Sequence, residues 1–333
     1  MPASVDSPGH SDRVAGCVLG AAIGDALGYP VEFLTDRESI REAFPPDGLT
    51  GFELWWGEGQ QRFAPHSDDT QMAEVVLRAL LASRSAGEGL VPTMERIGRG
   101  FAEWADSPQG GHRAPGGACL RGSRELATGR AWDAGDPDAG GCGSVMRAYP
   151  FALLFLDDEA QAETWAVAHS RLTHGHPMAL AACAGLVVGV GRAARGRSLE
   201  ETLGGIVAAC ARHDRETAEL CEEARRRALA GDPPDPVLER LLGWNAREAI
   251  AAATYVLARH AEHPRAALLE AANSVGDSDS IATLVGALVG ARCGLAALPA
   301  DWVRDVERSE ELQALASELA AAASGGVPAP ASR

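Results

Sequence analysis

Two short clusters of carboxylate and hydroxyl residues have the chemistry of a site for hard metal ions. Ser67, Asp68 and Asp69 form the first cluster, and Asp277, Asp279 and Ser280 form the second cluster. Both stand immediately before a strongly apolar segment, so each is also a candidate helix N-cap. Taken together they offer an all-oxygen ligand set, which Mg²⁺, Mn²⁺ and Ca²⁺ prefer.

The elements that must position these clusters are helices. Apolar residues recur at helical spacing through most of the chain, whereas only the segment FELWWG, residues 52–57, is a candidate for a short strand. The helical patterns lie near 12–28, 68–84, 92–105, 144–156, 160–169, 177–194, 199–211, 216–230, 246–261, 264–273, 279–294 and 307–323. We therefore predict an all-α fold with one compact domain at 12–323. We expect residues 1–11 and 324–333 to be disordered tails.

Three long irregular segments interrupt the helices. Residues 29–67 carry several prolines, and residues 106–118 and 129–144 are rich in glycine. Loops of this length in a compact domain are usually functional or disordered. Because each ends at a predicted helix start, its backbone N–H groups are expected to face a shared cleft.

The composition excludes several classes of function. The net charge of −16 disfavours nucleic-acid and anionic-membrane partners and favours cations. Seven cysteines without a CxxC pair indicate reduced thiols in a cytoplasmic protein. No secretory signal is visible at the start of the sequence. The apolar stretch 179–191 is shorter than the roughly 20 residues that span a bilayer, so we expect a buried helix.

Five ordered motifs resemble one known family. They are GAAIGDALGYPVEF (20–33), SDDTQM (67–72), GCGSVMR (141–147), SRLTHGHP (170–177) and GDSDSIA (276–282). Over about 12–295 the chain resembles the ADP-ribosylglycohydrolase family, of the dinitrogenase reductase-activating glycohydrolase and ADP-ribosylhydrolase type. The resemblance implies an orthogonal helical bundle with a dimetal cleft.

The resemblance also implies a ligand set and catalytic residues. Both clusters match the family's metal ligands, which implies that Ser67, Asp68, Asp69, Asp277, Asp279 and Ser280 hold two Mg²⁺ or Mn²⁺ ions. Glu32 matches a family glutamate that acts in catalysis and in gating the cleft. Glu32, Asp68 and Asp279 are therefore the candidate catalytic residues. We expect Asp25 to be a buried helix partner or to support the ligands, and not to be a direct ligand.

The glycine-rich turn matches the family's ADP-ribose-binding loop. The residues implied in binding are Gly117, Gly141, Cys142, Gly143, Ser144, Met146, Arg147 and His174. Glycines let the backbone approach a pyrophosphate, although a glycine-rich turn is also an ordinary connection between helices. Met146 and Arg147 are alternatively structural. Cys142 stands where many members have Asn, which leaves its effect on the substrate open. Ser67 and Ser280 replace the more common Thr and keep the ligand oxygen.

The hypothesis for the reaction is hydrolysis of an ADP-ribosylated protein. A water activated by two metals would attack the anomeric carbon and release ADP-ribose, with ADP-ribosyl-arginine as the leading substrate. Other ADP-ribose linkages, to serine, a nucleobase or an O-acetyl group, remain alternatives, as does a non-catalytic ADP-ribose-binding protein. A metal phosphoesterase would normally need His ligands, which the clusters lack. Nothing in the sequence calls for a partner beyond the substrate, so we expect a monomer.

Overall fold

Helices make up nearly all of the regular structure. The computed structural model describes residues 8–57 and 60–324. The helices are α1 His10–Gly28, α2 Arg37–Ala43, α3 Asp68–Ala86, α4 Leu90–Asp106, α5 Gly117–Ala127, α6 Tyr149–Leu154, α7 Glu159–Ser170, α8 Pro177–Ala194, α9 Leu199–Ala211, α10 Arg215–Leu229, α11 Pro234–Leu238, α12 Ala246–His260, α13 Pro264–Ala272, α14 Ser278–Cys293, α15 Ala300–Asp305 and α16 Ser309–Ala323. Two short strands, β1 Trp55–Trp56 and β2 Arg62–Phe63, pair antiparallel. The all-α fold in one compact domain is confirmed.

Helices α1 and α14 form the most extensive helix pair, at the centre of the core. Glycines allow their backbones to touch: a Cβ built on Gly20 would lie 2.3 Å from the carbonyl oxygen of Gly286, and one on Gly24 would lie 2.0 Å from that of Ala282. At the end of the pair, a Cβ on Gly28 would lie 2.4 Å from the Cα of Asp279. This close approach brings the C-terminal end of α1 against the start of α14.

The predicted helices are found with small shifts of their ends. Helix α1 begins at His10, two residues before the predicted domain start at residue 12. Residues 1–7 and 325–333, which make up most of the two predicted tails, lie outside the described residues. The predicted strand is present as β1, within 52–57. The apolar stretch 179–191 lies in α8, which has the length and composition to cross a membrane but is 83% buried within the protein.

Four short helices were not predicted. Helix α2 lies inside the segment expected to be a loop at 29–67; it is N-capped by Asp36, and only Ile40 is buried, so it shows no apolar period. Helix α5 begins at a glycine, a poor helix former, and buries few side chains. Helices α11 and α15 have five and six residues. Segments this short carry too few turns for a periodic pattern to be recognised.

The helix predicted at 144–156 is broken in the structure. Residues Cys142–Ser144 form one 3₁₀ turn, and α6 begins only at Tyr149. Pro150 lacks an N–H group, which is tolerated in the first turn of a helix but would break a helix that ran through it, so the helix starts at this point.

Candidate active site

The first cluster forms the N-terminus of α3. Ser67 caps this helix, and Asp68 and Asp69 are buried in its first turn. The hydroxyl of Ser67 accepts a hydrogen bond from the N–H of Asp69 at 3.2 Å. Asp25, fully buried on α1, accepts hydrogen bonds from the N–H groups of Ser67 and Thr70, at 2.7 and 2.9 Å. Asp25, on α1, therefore holds the start of α3 in place. This agrees with the expectation that it supports the ligands without being one of them.

The second cluster begins α14 and meets the first one. The hydroxyl of Ser280 donates to Oδ2 of Asp69 at 3.0 Å, across 211 positions of sequence. Asp279 accepts from the N–H of Ser280, and the backbone N–H of Asp277 donates to the carbonyl of Leu242 at 2.7 Å. All four aspartates of the two clusters are at most 5% exposed. The structure thus brings together the residues predicted to be ligands.

Glu32 approaches the same cluster from the segment after α1. It lines the cleft together with Asp68 and Asp279. Its Oε2 atom is buried and has no hydrogen-bond partner within the described residues. Burial, followed by repulsion from Asp279, Asp277, Asp68 and Asp25, raises the pKa of Glu32 to about 10. In the absence of a cation this carboxyl group holds its proton at neutral pH.

The clusters concentrate negative charge away from water. Burial is the main cause that raises the pKa of each of the five aspartates Asp25, Asp68, Asp69, Asp277 and Asp279. Repulsion from Asp279 adds to the effect on the pKa values of Asp68 and Asp69. The charge of the buried Arg147 lowers the pKa of Asp68 but is one cation against several carboxylates. Such a site favours either protons or added cations.

A cleft of about 500 Å³ opens above the clusters, a volume suited to a small-molecule ligand. Six of the residues predicted to bind ADP-ribose line it: Gly117, Gly141, Cys142, Gly143, Met146 and His174. The glycine turn is fixed by an antiparallel bridge between Gly141 and Asn245. Burial lowers the pKa of His174 to about 3, with help from Arg147 and Arg121, so its ring is neutral. The ring therefore lines the cleft as a neutral group that can form hydrogen bonds.

Two predicted binding residues lie behind the residues that line the cleft. Arg147 is fully buried, and its guanidinium donates to His169, to Thr173 at 2.7 Å and to the sulfur of Met72. Ser144 is also fully buried, and its hydroxyl is 2.9 Å from that of Ser170. Neither residue lines the cleft in the structure, because internal polar partners hold both side chains inward. They support the binding loop from inside the protein. For Arg147 this agrees with the structural role that the sequence left open as the alternative.

Two aromatic side chains stand at the mouth of the cleft. Trp244 is 38% exposed and stacks on Phe33, which is 61% exposed, with ring centroids 5.5 Å apart. Phe33 directly follows Glu32 and has a left-handed backbone with φ of 74°. In the sequence, the position of Phe33 in the motif PVEF, next to Glu32, was the feature that indicated its place at the cleft. Trp104, by contrast, is buried and donates to Gln71 at 3.0 Å.

The opposite wall is the loop 113–118, which is pinned by an ion pair. Arg113 pairs with both carboxylate oxygens of Glu307 and donates to the carbonyl of His66 at 2.8 Å. The N–H of Asp68 in turn donates to the carbonyl of Arg113 at 3.2 Å. The wall and the first cluster are therefore held together directly.

The donor set fits divalent cations. In the part of the chain that the structure describes, Glu32 supplies a buried oxygen that has no hydrogen-bond partner, and the carboxylates of both clusters face one another with raised pKa values. Among residues 8–57 and 60–324, no three side chains of His, Cys, Asp or Glu converge closely enough to enclose an ion by themselves. The hydroxyls of Ser67 and Ser280, together with water, would have to complete the coordination, which is typical of oxygen-ligated Mg²⁺.

These features define a class of protein: an all-α domain with an acidic, cation-type cleft formed by two helix N-termini and a glycine-rich binding turn. The model of the family described as ADP-ribosylglycohydrolase matches residues 6–327. The chain therefore belongs to the ADP-ribosylglycohydrolase family, and it is a hydrolase.

Similar proteins extend over nearly the whole chain. An ADP-ribosyl-[dinitrogen reductase] glycohydrolase of Rhodospirillum rubrum is 30% identical over 312 residues, 91% of this chain and 93% of the relative. An ADP-ribosylarginine hydrolase, Tri1, of Pseudomonas putida (strain GB-1) is 29% identical and is matched over 92% of this chain and 78% of its own length. A solved structure titled ADP-ribosylglycohydrolase-related protein complex has a TM-score of 0.72 and 28% identity, covering 94% of this chain and 99% of that chain.

Proposed function

We propose that this protein hydrolyses the glycosidic bond between ADP-ribose and a protein side chain, with ADP-ribosyl-arginine as the leading substrate. One observation carries the proposal. The hydrogen bond from Ser280 to Asp69 joins the two acidic clusters at the floor of a cleft that is lined by the glycine turn. The names of the Rhodospirillum rubrum and Pseudomonas putida relatives favour removal of ADP-ribose, and the second name favours arginine.

The binding residues would orient the ADP-ribose part of the substrate. Backbone N–H groups near Gly141 and Gly143 suit a pyrophosphate, and the missing side chains leave room for it. A Cβ on Gly143 would lie 2.3 Å from the sulfur of Cys119, so the turn has no space for a larger residue. Trp244 offers an aromatic face, and neutral His174 adds no charge to repel or attract the phosphates.

Three carboxyl groups would move protons. Glu32 lines the cleft beside Asp68 and Asp279, where its carboxyl group would donate a proton to the leaving nitrogen or oxygen. Asp68 and Asp279 face the same space and would accept a proton from the attacking water. General acid–base help of this kind contributes about 10²–10⁴-fold to a rate. A thiol nucleophile is not needed.

The two clusters would hold two divalent cations, Mg²⁺ or Mn²⁺. The ligands would be side-chain oxygens of six residues, Ser67, Asp68, Asp69, Asp277, Asp279 and Ser280. Cations bound there would supply positive charge for developing negative charge and lower the pKa of a bound water. Their charge would also bring down the raised pKa values of the carboxylates, so that those groups act as bases.

The experiment is a panel of defined linkages, with ADP-ribosyl-arginine, ADP-ribosyl-serine, an ADP-ribosylated nucleobase and O-acetyl-ADP-ribose. Each is assayed with Mg²⁺, with Mn²⁺ and with a chelator. We expect release of ADP-ribose from the arginine linkage that stops with the chelator. Cleavage of a different linkage alone would replace arginine by that substrate. Binding of ADP-ribose with no linkage cleaved would instead favour a non-catalytic binding protein.

The surroundings of the enzyme are part of the same proposal. All seven cysteines, each within the described part of the chain, are free thiols. This fits the reducing cytoplasm. The proposed partners are an ADP-ribosylated protein as substrate and ADP-ribose as product, with the enzyme acting as a monomer and without nucleic acid or membrane.

A further inference from the structure

Cys142 adds a sulfur atom to a site otherwise built from oxygen. Its Sγ donates to Oδ2 of Asp277 at 2.7 Å and lies 3.4 Å from the hydroxyl oxygen of Ser280. The same hydroxyl is 3.0 Å from Oδ2 of Asp69. One thiol, one hydroxyl and two carboxylates thus lie next to one another at one end of the cleft and are candidate metal ligands.

Two of these separations suit neighbouring ligands of one ion, which the four side chains would enclose only after small movements. With metal–sulfur distances near 2.3 Å and metal–oxygen distances near 2.1 Å, two ligands of a tetrahedral ion lie roughly 3.4–3.6 Å apart. The spacing from Cys142 to Ser280 already has this value, and the spacing from Cys142 to Asp277 needs to widen by less than about 1 Å. That shorter contact is a hydrogen bond, which coordination would replace.

The backbone holds the thiol in place. The carbonyl of Cys142 accepts hydrogen bonds from Val145 at 2.9 Å and from Met146 at 3.3 Å, and the bridge at Gly141 fixes the residue before it. Within the described residues, Cys119 is the other cysteine that lines the cleft. Its sulfur contacts the carbonyl of Gly143 and the guanidinium of Arg147 and, unlike that of Cys142, is not hydrogen-bonded to Asp277.

We propose that Cys142 gives the Asp69, Asp277 and Ser280 end of the cleft a high affinity for thiophilic divalent cations such as Zn²⁺ and Cd²⁺. This inference rests on the proposed cation-binding role of the clusters. With Mg²⁺ or Mn²⁺, the thiol keeps its proton and its hydrogen bond to Asp277. With a thiophilic cation, the sulfur becomes a ligand and its proton passes to solvent. The choice of cation thereby depends on this one residue.

The test is a titration of the metal-free protein with Cd²⁺, in a reductant that contains no thiol. Coordination by sulfur is read from the ultraviolet sulfur-to-cadmium charge-transfer absorption, and Mn²⁺ affinity is measured in parallel by electron paramagnetic resonance. The unsubstituted protein is expected to show the absorption, saturating at one Cd²⁺. Cys142→Ser should lose it, whereas Cys119→Ser, the matched control from the same cleft, should keep it.

A merely structural role for Cys142 would weaken both cations alike. The ratio of Cd²⁺ to Mn²⁺ affinity separates the two cases, and we expect Cys142→Ser to lower it at least about tenfold, the smaller of the effects that supporting groups have on metal sites. An unchanged ratio, or a charge-transfer absorption that persists in Cys142→Ser, overturns the inference. Failure of the proposed function appears elsewhere, as the absence of Mg²⁺- or Mn²⁺-dependent hydrolysis by the unsubstituted protein.

Discussion

The buried carboxyl groups predict that the cation-free protein becomes less stable as the pH rises above neutrality. Glu32 has a pKa of about 10 in the folded chain against 4.5 ordinarily. Between pH 7 and pH 8 the folded state keeps this proton while the unfolded state has lost it. Each proton held only by the folded state lowers the free energy of unfolding by about 1.4 kcal/mol per pH unit.

Other groups add little or act in the same direction in this window. The raised pKa values of the five buried aspartates give the same sign as Glu32. His169 and His174, whose pKa values are lowered, stabilise the protein as the pH rises through about 6.5, a change largely complete by pH 7. Glu163, with a pKa of about 2, is ionised in both states throughout.

Allowing for the partial exposure of Glu32 to the cleft, we expect a loss of at least about 1 kcal/mol from pH 7 to pH 8. Urea unfolding at the two pH values, in the presence of a chelator, measures it. Saturating Mn²⁺ should raise the stability and remove the loss, because the cations hold the carboxylates in their ionised form. Glu32→Gln should make the loss smaller in the chelated protein. A free energy of unfolding that is constant or rises between pH 7 and pH 8 would refute the charge assignment.

Three further predictions concern the packing of the core, the support of the binding turn and the mouth of the cleft. Gly20→Val should destabilise the protein by about 1–3 kcal/mol or more in urea unfolding, because the new side chain meets the carbonyl of Gly286. Gly204→Ala is the control at an open helical position and should be neutral or stabilising by up to about 1 kcal/mol. Equal effects of the two substitutions on the free energy of unfolding would contradict the packing argument. Arg147→Met should lower the free energy of unfolding by about 1–3 kcal/mol, because the buried side chains of His169 and Thr173 lose the guanidinium that donates to them, and a loss well below about 1 kcal/mol would show that the residue is not structural. Trp244→Ala should raise KM roughly 3–10-fold with a smaller change in kcat, whereas a change confined to kcat would remove it from substrate binding.

The parts of the site that could be predicted are those carried by short local patterns. Each cluster stands at a helix start, because a long apolar segment follows it in the sequence. The direct contact between Ser280 and Asp69 could not be derived from spacing, because it depends on how closely α1 and α14 approach. The glycines that permit the approach are visible in the sequence, but their partners are not.

The residues placed differently depend on long-range polar partners. The guanidinium of Arg147 points inward because His169 and Thr173, more than twenty positions away, accept its hydrogen bonds. Phe33 and Trp244, which meet at the mouth of the cleft, are separated by most of the chain. Helices α2 and α5 escaped prediction because each turns few apolar side chains toward the core.

The central claim is that the two distant clusters form one hydrolytic site. The most direct measurement compares release of ADP-ribose from ADP-ribosyl-arginine by Asp68→Asn, Asp277→Asn and the double variant, each shown to be folded, with Mg²⁺ or Mn²⁺ present. We predict that each single substitution lowers kcat/KM at least about a hundredfold, and that the double substitution costs little more than either one. Full activity in either single variant, or losses that simply multiply in the double variant, would contradict a shared site.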